Sequence, residues 1–269
     1  MKKIILLFVS ISTLLCAQED VAENAIGNEE KRFLISSKIL DNMDFKLSSG
    51  FTHYNMSDFV QSNHGHSYEF AILTHIDDNT IVASHLNIMH IQGSRLKEHA
   101  INSHNPYALY EGNGDYFKTN MHELSLVISN NLPQRLLSAI FRSLNESLFL
   151  PDKLKIYYNL GVGMCNFHSI RYNSISDSYI YGYGYDDLNY NFESRKSFWD
   201  LPKSRVLIYG FSFDYKIGNA SSLYFSSSIH HVENAYVDAD MAAGNGDRFL
   251  NVLVGYKSRF NFTKNKSRK

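Results

Sequence analysis

The chain has 269 residues, of which 44% are hydrophobic and 20% are charged, and its formal net charge is −1. This length suits one sizeable domain. The net charge is close to zero and no basic stripe alternates with aromatic residues, which argues against nucleic acid as a partner. Because charged residues are spread along the chain, a membrane protein of this composition must carry its apolar residues in alternation and not in long runs.

The first 17 residues have the features of an export signal. Residues 2–3 are positively charged, residues 4–15 are apolar, and a short-side-chain end follows at Ala17. The apolar stretch is too short to cross a membrane as a helix. We predict a signal peptide over residues 1–17 that is cleaved after Ala17. A lipoprotein anchored through Cys16 is the weaker alternative, because bulky leucines precede it where small residues are required.

Removal of this signal leaves Cys165 as the only thiol, so the mature chain forms no internal disulfide. Residues 18–43 are a polar lead-in to which we assign no site. No later apolar run reaches the length of a membrane-spanning helix. An exported chain of this kind is periplasmic, secreted or an outer-membrane barrel.

From Asp44 onward, apolar and polar residues alternate with the period of a β-strand. The clearest segment is Arg248–Phe262, in which Val252 and Val254 lie on one face and Asn251 on the other. Its length exceeds that of ordinary strands and suits a tilted passage through a bilayer. The eight predicted strands cover residues 44–52, 68–76, 81–91, 116–129, 153–167, 204–216, 223–231 and 248–262.

The links between these strands alternate in length. Residues 53–67, 92–115, 168–203 and 232–247 are long links, whereas 77–80 and 217–222 are short turns. Residues 130–152 interrupt the scheme, because leucines recur there at helical spacing after Pro133. The pattern predicts an all-β fold, an eight-stranded up-and-down antiparallel transmembrane β-barrel over residues 44–262, with a short periplasmic helix between strands 4 and 5.

Three segments carry a resemblance to a known family. Residues 116–126, 156–163 and 247–256 resemble the OmpA-like outer-membrane β-barrel domain in their pattern of aromatic, glycine and acidic residues. The resemblance implies an eight-stranded barrel in the outer membrane of a Gram-negative cell. Many OmpA-like proteins continue into a peptidoglycan-binding domain where this chain has a basic tail at residues 263–269, so cell-wall anchoring is not carried over.

Several charged residues fall on the polar face of the predicted strands. The interior of an eight-stranded barrel is just wide enough for side chains to fill it, so we predict that these charges pair across the lumen and do not line an ion path. We consider Glu123 with Lys155 the first pair to test. The predicted inward set includes His75 and His85, and its charge-pairing members are Glu69, Glu123, Lys155, Asp214, Lys257 and Arg259.

Two aromatic groups are candidates for recognition. A tyrosine-rich link is a candidate surface loop for an extracellular protein or glycan, and its alternative is rings that pack on each other or on headgroups. The aromatic end of the last strand is a candidate signal for the barrel-assembly machinery. The loop residues are Tyr179, Tyr181, Tyr183 and Tyr185, and the assembly residues are Tyr256, Phe260 and Phe262.

The sequence predicts no metal, no cofactor and no enzyme. The chain has 12 His residues, but neighbours such as His64 with His66 and His230 with His231 do not fix a coordination geometry. No Ser/His/Asp spacing stands out from chance. The leading hypothesis is a barrel in outer-membrane lipid with a structural or interaction role, in surface-loop display, adhesion or envelope integrity. A narrow channel or transporter is one alternative, and a soluble periplasmic ligand-binding barrel with an apolar interior is another.

Overall fold

The computed structural model describes residues 43–54, 61–95, 115–133, 153–184, 200–201, 203–233, 237 and 246–259. Within these ranges, no helix has the length and apolar character needed to cross a membrane. The strands of the described chain are β1 (Met43–Tyr54), β2 (Gln61–His75), β3 (Thr80–Arg95), β4 (Asp115–Asn131), β5 (Leu154–Asn173), β6 (Tyr179–Tyr183), β7 (Lys203–Lys216), β8 (Ser221–Val232) and β9 (Asp247–Arg259).

Eight of these strands close into an antiparallel barrel, which confirms the predicted fold class. The hydrogen-bonded order is β4-β3-β2-β1-β9-β8-β7-β5, and β4 also pairs with β5 to complete the ring. The added strand β6 pairs with residues 169–172 of β5, beyond the part of β5 that pairs with β7. It therefore extends one side of the barrel without entering the ring.

The two ends of the barrel differ. At the turn end, residues 76–79 join β2 to β3 and residues 217–220 join β7 to β8, and here β1 begins beside the end of β9. At the loop end, the chain passes through the links that follow β1, β3, β6 and β8. In outer-membrane barrels the short turns lie on the periplasmic side.

Several predicted boundaries were wrong, because the strands run further toward the loop end. β2 begins at Gln61 where the sequence predicted Tyr68, and β5 ends at Asn173 where it predicted Phe167. The first link is therefore residues 55–60 and is short. The signal peptide, the lead-in before residue 43, the predicted periplasmic helix and the basic tail lie outside the described residues.

An apolar band surrounds the turn-end half of the barrel, and every strand of the ring contributes to it. Leu47 and Val162 are 64% and 63% exposed, although both are large apolar side chains. On β7 the band extends from Leu207 to Tyr215, nine residues, which matches the length of a tilted membrane-crossing strand. The band consists of Leu47, Phe51, Tyr68, Phe70, Leu86, Ile88, Leu124, Leu126, Ile128, Tyr158, Leu160, Val162, Met164, Leu207, Tyr209, Phe211, Tyr215, Leu223, Phe225, Val254 and Tyr256.

The facing of the strands inverts above this band. Toward the loop end, Phe117, Phe167 and Phe249 point inward and are buried, while Lys118 and Arg248 point outward. The predicted hydrophilic interior is therefore wrong for this half. Lipid favours apolar side chains on the outside of a barrel and water favours them on the inside, so a barrel that extends past a bilayer would show this change of facing.

The seam between β1 and β9 requires glycine at two positions. Gly50 lies opposite Leu253, and Gly255 lies opposite Ser48. A Cβ atom on Gly255 would lie 2.3 Å from the backbone oxygen of Leu47. A Cβ atom on Gly50 would lie 1.8 Å from the backbone oxygen of Val252. The strands that close the ring therefore approach each other too closely for any other residue.

We predict that Gly255→Val lowers the free energy of unfolding by about 1–3 kcal/mol, because the added side chain overpacks the seam. Ser49→Val is the matched control, since Ser49 belongs to the same seam but points outward and is exposed. The measurement is urea unfolding in vesicles, followed by the shift in gel mobility between folded and boiled barrel. Equal midpoints for the two variants would contradict a close seam.

The turn between β2 and β3 is fixed by one carboxylate outside the membrane-spanning segments. The backbone N–H groups of Asn79 and Thr80 each donate to Asp77 Oδ1 over 2.7 Å. These bonds, that from Asn79 foremost, hold the pKa of Asp77 below its ordinary value of 3.8. The ionised carboxylate therefore stabilises the turn above that pH, and this contribution is lost as the pH falls through the lowered pKa.

Asp77→Ala should lower stability near neutral pH, and the difference from the unsubstituted chain should shrink once the pH falls below about 3.8. Unfolding midpoints measured between neutral pH and about pH 2 test this. Asp78→Ala is the control, because that neighbouring carboxylate accepts neither of the two N–H groups. An Asp77→Ala difference that stayed constant across the range would exclude the carboxylate as its cause.

Candidate functional site in the barrel interior

All six carboxylates on the described strands point into the barrel and are buried. Each has a hydrogen-bonding or charged partner inside. The pairs are Asp44 with His75 and Arg259, Glu69 with Lys46 and His85, Asp115 with Arg171, Glu123 with His230 and Asn87, Asp214 with Lys257, and Asp247 with Tyr54.

The middle of the interior contains a three-membered charge cluster. Lys46 Nζ lies 2.7 Å from Glu69 Oε1, and His85 Nδ1 lies 2.5 Å from Glu69 Oε2. The Lys46 ammonium also lies 3.9 Å from the centre of the Tyr224 ring. Neighbouring strands bring these residues together, because Lys46 and Glu69 lie on β1 and β2 and His85 lies on β3. A buried lysine is tolerated here since its charge is matched on one side and faces a ring on the other.

A second chain of side chains lies one layer closer to the loop end. His230 Nδ1 is 2.7 Å from Glu123 Oε2, and His230 Nε2 is 3.0 Å from Ser228 Oγ. The atoms have the order of a serine, histidine and acid triad. The adjoining cavity measures only about 20 Å³, room for about one water molecule. The backbone of β8 is hydrogen-bonded on both sides, to β7 and β9, so its N–H groups are not available as an oxyanion hole.

At the turn end, charges surround a larger opening of about 190 Å³. Lys257 forms an ion pair with Asp214, and its Nζ lies 3.8 Å from Asp44 Oδ2. Asp44 also contacts His75 at 2.7 Å and Arg259 at 3.3 Å. Each carboxylate in this opening therefore faces at least one basic group.

The loop-end half of the interior is closed by a packed apolar layer. It is bounded above by Arg171, which donates to Asp115 from the next strand, and by the Tyr54 hydroxyl, which donates to Asp247 Oδ1 over 2.7 Å. Asp247 also accepts the backbone N–H of Val237 over 2.7 Å. The layer consists of Tyr54, Met89, Ile91, Phe117, Met121, Val127, Cys165, Phe167, Val206, Ile208, Val232, Val237 and Phe249.

The predicted lumen residues occupy different parts of this interior. Glu69, Glu123, Asp214 and Lys257 are buried. The Arg259 side chain is 47% exposed and lies at the turn-end mouth of the barrel. Lys155 is also exposed at this mouth, where it pairs with Asp214 in the β5–β7 ladder.

The pair of Glu123 with Lys155 was predicted wrongly. Glu123 lies opposite Cys165 in the β4–β5 ladder, and Lys155 is ten residues further along β5. That separation is roughly 33 Å at about 3.3 Å per residue. The sequence shows alternation along each strand but not the register between strands, so it could not identify His230 as the partner of Glu123.

Sequence reasoning also missed Lys46, Asp44 and the pair of Arg171 with Asp115. Arg171 was missed because the predicted strand ended too early. The inward alternation of Cys165, Phe167, Ser169 and Arg171 continues without a break, and it would have placed the guanidinium inside.

Residues 179–183 of the tyrosine segment form strand β6, which corrects the prediction that these residues lie in a surface loop. Tyr179 and Tyr183 are half-buried at the ends of β6. The Tyr183 ring stacks on Phe167 at 5.8 Å and packs against the apolar layer, so it is not displayed for recognition. Tyr185 and the side chain of Tyr181 lie outside the described residues.

Of the predicted assembly residues, only Tyr256 is described. It points outward from β9, and its exposed fraction is 48%. Phe260 and Phe262 lie outside the described residues. Among the side chains that the structure describes, no group of three or more His, Cys, Asp or Glu is arranged to hold a metal ion.

No family model matches the chain, and no curated protein matches it. Solved structures do. Neisserial surface protein A is 10% identical, with a TM-score of 0.44 over 81% of this chain and 97% of that chain. Ail, the attachment invasion locus protein of Yersinia pestis, determined with the heparin analogue sucrose octasulfate, is 8% identical, with a TM-score of 0.40 over 81% and 97%. A major outer membrane protein from Thermus thermophilus is 10% identical, with a TM-score of 0.42 over 81% and 99%.

The solved structures similar to this chain thus include outer-membrane proteins. The chain itself is a closed eight-stranded antiparallel β-barrel with an apolar exterior band and charges paired inside. Membership of the OmpA-like family stays a prediction.

The Lys46 and Glu69 pair gives a prediction about stability. Glu69→Leu removes the carboxylate and leaves the buried ammonium without its counter-charge, so we expect a loss of about 3–5 kcal/mol. Lys46→Met with Glu69→Leu removes both charges and should recover most of that loss. Urea unfolding of the parent, both single variants and the double variant measures the coupling. A double variant less stable than Glu69→Leu alone would contradict a buried charge pair.

Proposed function

We propose that the chain is an integral outer-membrane β-barrel, exported by the signal at residues 1–17, with a structural or interaction role and a non-conducting interior. The observation that carries the proposal is the arrangement of charge. The strand carboxylates are buried inside with their partners, while the exterior of the turn-end half is apolar. Such a surface is stable in contact with lipid and would be an aggregation site in water.

The filled interior favours this proposal over a channel. An ion that entered from the turn end would meet the Lys46 and Glu69 cluster, then the Glu123 and His230 pair, and then the apolar layer. The two cavities recorded beside these clusters measure about 20 Å³ each. Opening such a path would separate buried charges, which is costly in a low dielectric.

One observation favours the soluble ligand-binding alternative, namely the apolar interior of the loop-end half. Its side chains are closely packed, however, and Phe117 and Phe167 are fully buried among their neighbours. A ligand-binding barrel holds its ligand in an open apolar cavity. The exposed apolar band further supports lipid as the surroundings of this chain.

The interaction role is supported by the close packing of the described interior. The interior offers no route and little space, so a partner would be reached through the loop-end links, as an extracellular protein or glycan. Tyr256 and the aromatic residues that follow it in sequence remain our proposed contact with the barrel-assembly machinery.

We expect no conductance above leak level when the purified barrel is inserted in planar bilayers, because three layers of side chains block the interior. A porin inserted into the same bilayer is the positive control. Insertion is verified beforehand by membrane fractionation and by the gel-mobility shift on heating. Conductance steps above leak would favour the channel, and solubility of the mature chain without detergent would favour the ligand-binding barrel.

The two forms of the proposed role can be separated by complementation. A strain that lacks the protein is supplied with the full chain or with a chain whose links at residues 96–114 and 185–199 are shortened. Resistance to detergent restored by both chains supports envelope integrity, whereas adhesion restored only by the full chain supports loop-mediated interaction. If neither property changes when the protein is lost, both roles fail.

A further inference from the structure

The apolar band ends at a sharp chemical boundary on the outside of the barrel. Serine aside, the first polar residue on the outward face of each strand, counted from the band toward the loop end, is a histidine on five strands, an arginine on two and an asparagine on one. In strand order these residues are His53, His66, His90, His122, Asn166, Arg205, His231 and Arg248. On β8, Ser227 and Ile229 lie between the band and His231.

We name this ring, together with its outward neighbours, the loop-end belt. It encircles the whole barrel at one level, because partners in adjacent strands occupy it together. His53 lies opposite His64, His90 lies opposite Asn120, and His231 lies opposite Arg248. The basic members of the belt are His53, His64, His66, His90, Lys118, His122, His168, Lys203, Arg205, His231 and Arg248, of which His168 is buried.

The charged side chains that the described strands contribute to the belt are all basic. Within the described strands no Asp or Glu points outward, since all six face the interior. Two described carboxylates outside the strands lie near belt residues. Glu233 lies 3.7 Å from Arg205, and Asp177 accepts a hydrogen bond from the hydroxyl of Tyr116, whose ring centre lies 5.2 Å from Lys118 Nζ. At the opposite border of the apolar band, the outward polar residues include Thr80, Asn130 and Ser258, which are uncharged. A surface that faced only water would have no reason to concentrate basic residues at one border alone.

Several members of the belt are held in place by hydrogen bonds along its circumference. His90 Nδ1 lies 2.8 Å from Asn120 Oδ1, and Asn120 Nδ2 lies 3.0 Å from His168 Nε2. Arg248 Nε donates to His231 Nδ1 over 3.2 Å, so the neutral ring carries its proton on Nε2 as a donor. The belt therefore presents N–H donors that are partly pre-organised.

We propose that the loop-end belt binds the phosphate groups of the anionic lipid headgroups that surround the barrel on its outer side. This inference rests on the proposed function, because it requires the apolar band to lie in a bilayer. Guanidinium and imidazole N–H groups are effective donors to phosphate oxygens, and basic side chains beside a membrane surface attract anionic headgroups. The belt lies at the height of the headgroups, where the apolar exterior ends.

The test compares two forms of one lipid. The refolded full chain in detergent micelles is mixed with a bacterial glycolipid that carries two phosphate groups, or with the same glycolipid after enzymatic removal of both. Lipid retained per barrel is counted by native mass spectrometry. We expect several-fold more of the phosphorylated form on the unsubstituted barrel.

The belt variant carries His66→Gln, His90→Gln, Arg205→Gln and Arg248→Gln. The matched control carries Asn130→Gln and Ser258→Gln on the opposite border. Because a basic side chain near an anionic surface contributes roughly fivefold in affinity, loss of the two arginines should reduce the preference for phosphate about tenfold or more. The control variant should retain the full preference.

The outcomes distinguish this inference from the proposed function. Every variant must first show the gel-mobility shift on heating and insert into vesicles, and failure of the unsubstituted chain to insert would refute the membrane barrel itself. Insertion with equal retention of both lipid forms, or an unchanged preference in the belt variant, would overturn the belt alone. Equally strong binding of inorganic phosphate would also overturn it, because the ligand would then be free anion and not lipid.

Discussion

The stability of the barrel depends on where the carboxylates of its described strands lie. A closed barrel in lipid can carry an ionised group in only two places, inside the ring with a partner or beyond the hydrocarbon. All six strand carboxylates occupy the first of these places. Their partners lie on neighbouring strands, as with Lys46 and Glu69, or across the interior, as with Glu123 and His230. The ion pairs therefore fill the ring that the backbone hydrogen bonds close.

The inversion of facing follows from a change of solvent along each strand. β5 has Leu160 and Val162 outside in the band but Phe167 inside nearer the loop end, and its alternation is unbroken between them. Apolar side chains are more stable on the outside of a barrel where lipid surrounds it, and on the inside where water surrounds it. The same strand satisfies both because its side chains alternate with a period of two residues, so only the chemistry of each face changes. In the proposed membrane barrel, the level of this change marks the edge of the bilayer.

Much of the fold could be predicted, because alternation and link length are properties of a single strand and its neighbours in sequence. Alternation predicted the apolar face of β9, and alternation together with link length predicted the eight-stranded ring. The pair of Glu123 with Lys155 was wrong because the choice of a partner depends on register and on contacts across the ring. The ends of β2 and β5 were missed for another reason, since both strands continue beyond the lipid, where the polar outward face looks like a link.

Because the described interior is filled with side chains, a partner of this protein would bind on the outside of the barrel. A path through the ring would have to separate two kinds of contact at once. The buried ion pairs are strongest in a dry environment, whereas the apolar layer is lost only when water enters. Both kinds of contact are therefore stabilised by a dry interior, and both oppose the entry of water that a conducting path would require. In the proposed membrane barrel, the closed ring would therefore hold the loop-end links at a fixed height above the membrane, and the border between Leu250 and Arg248 sets that height on β9.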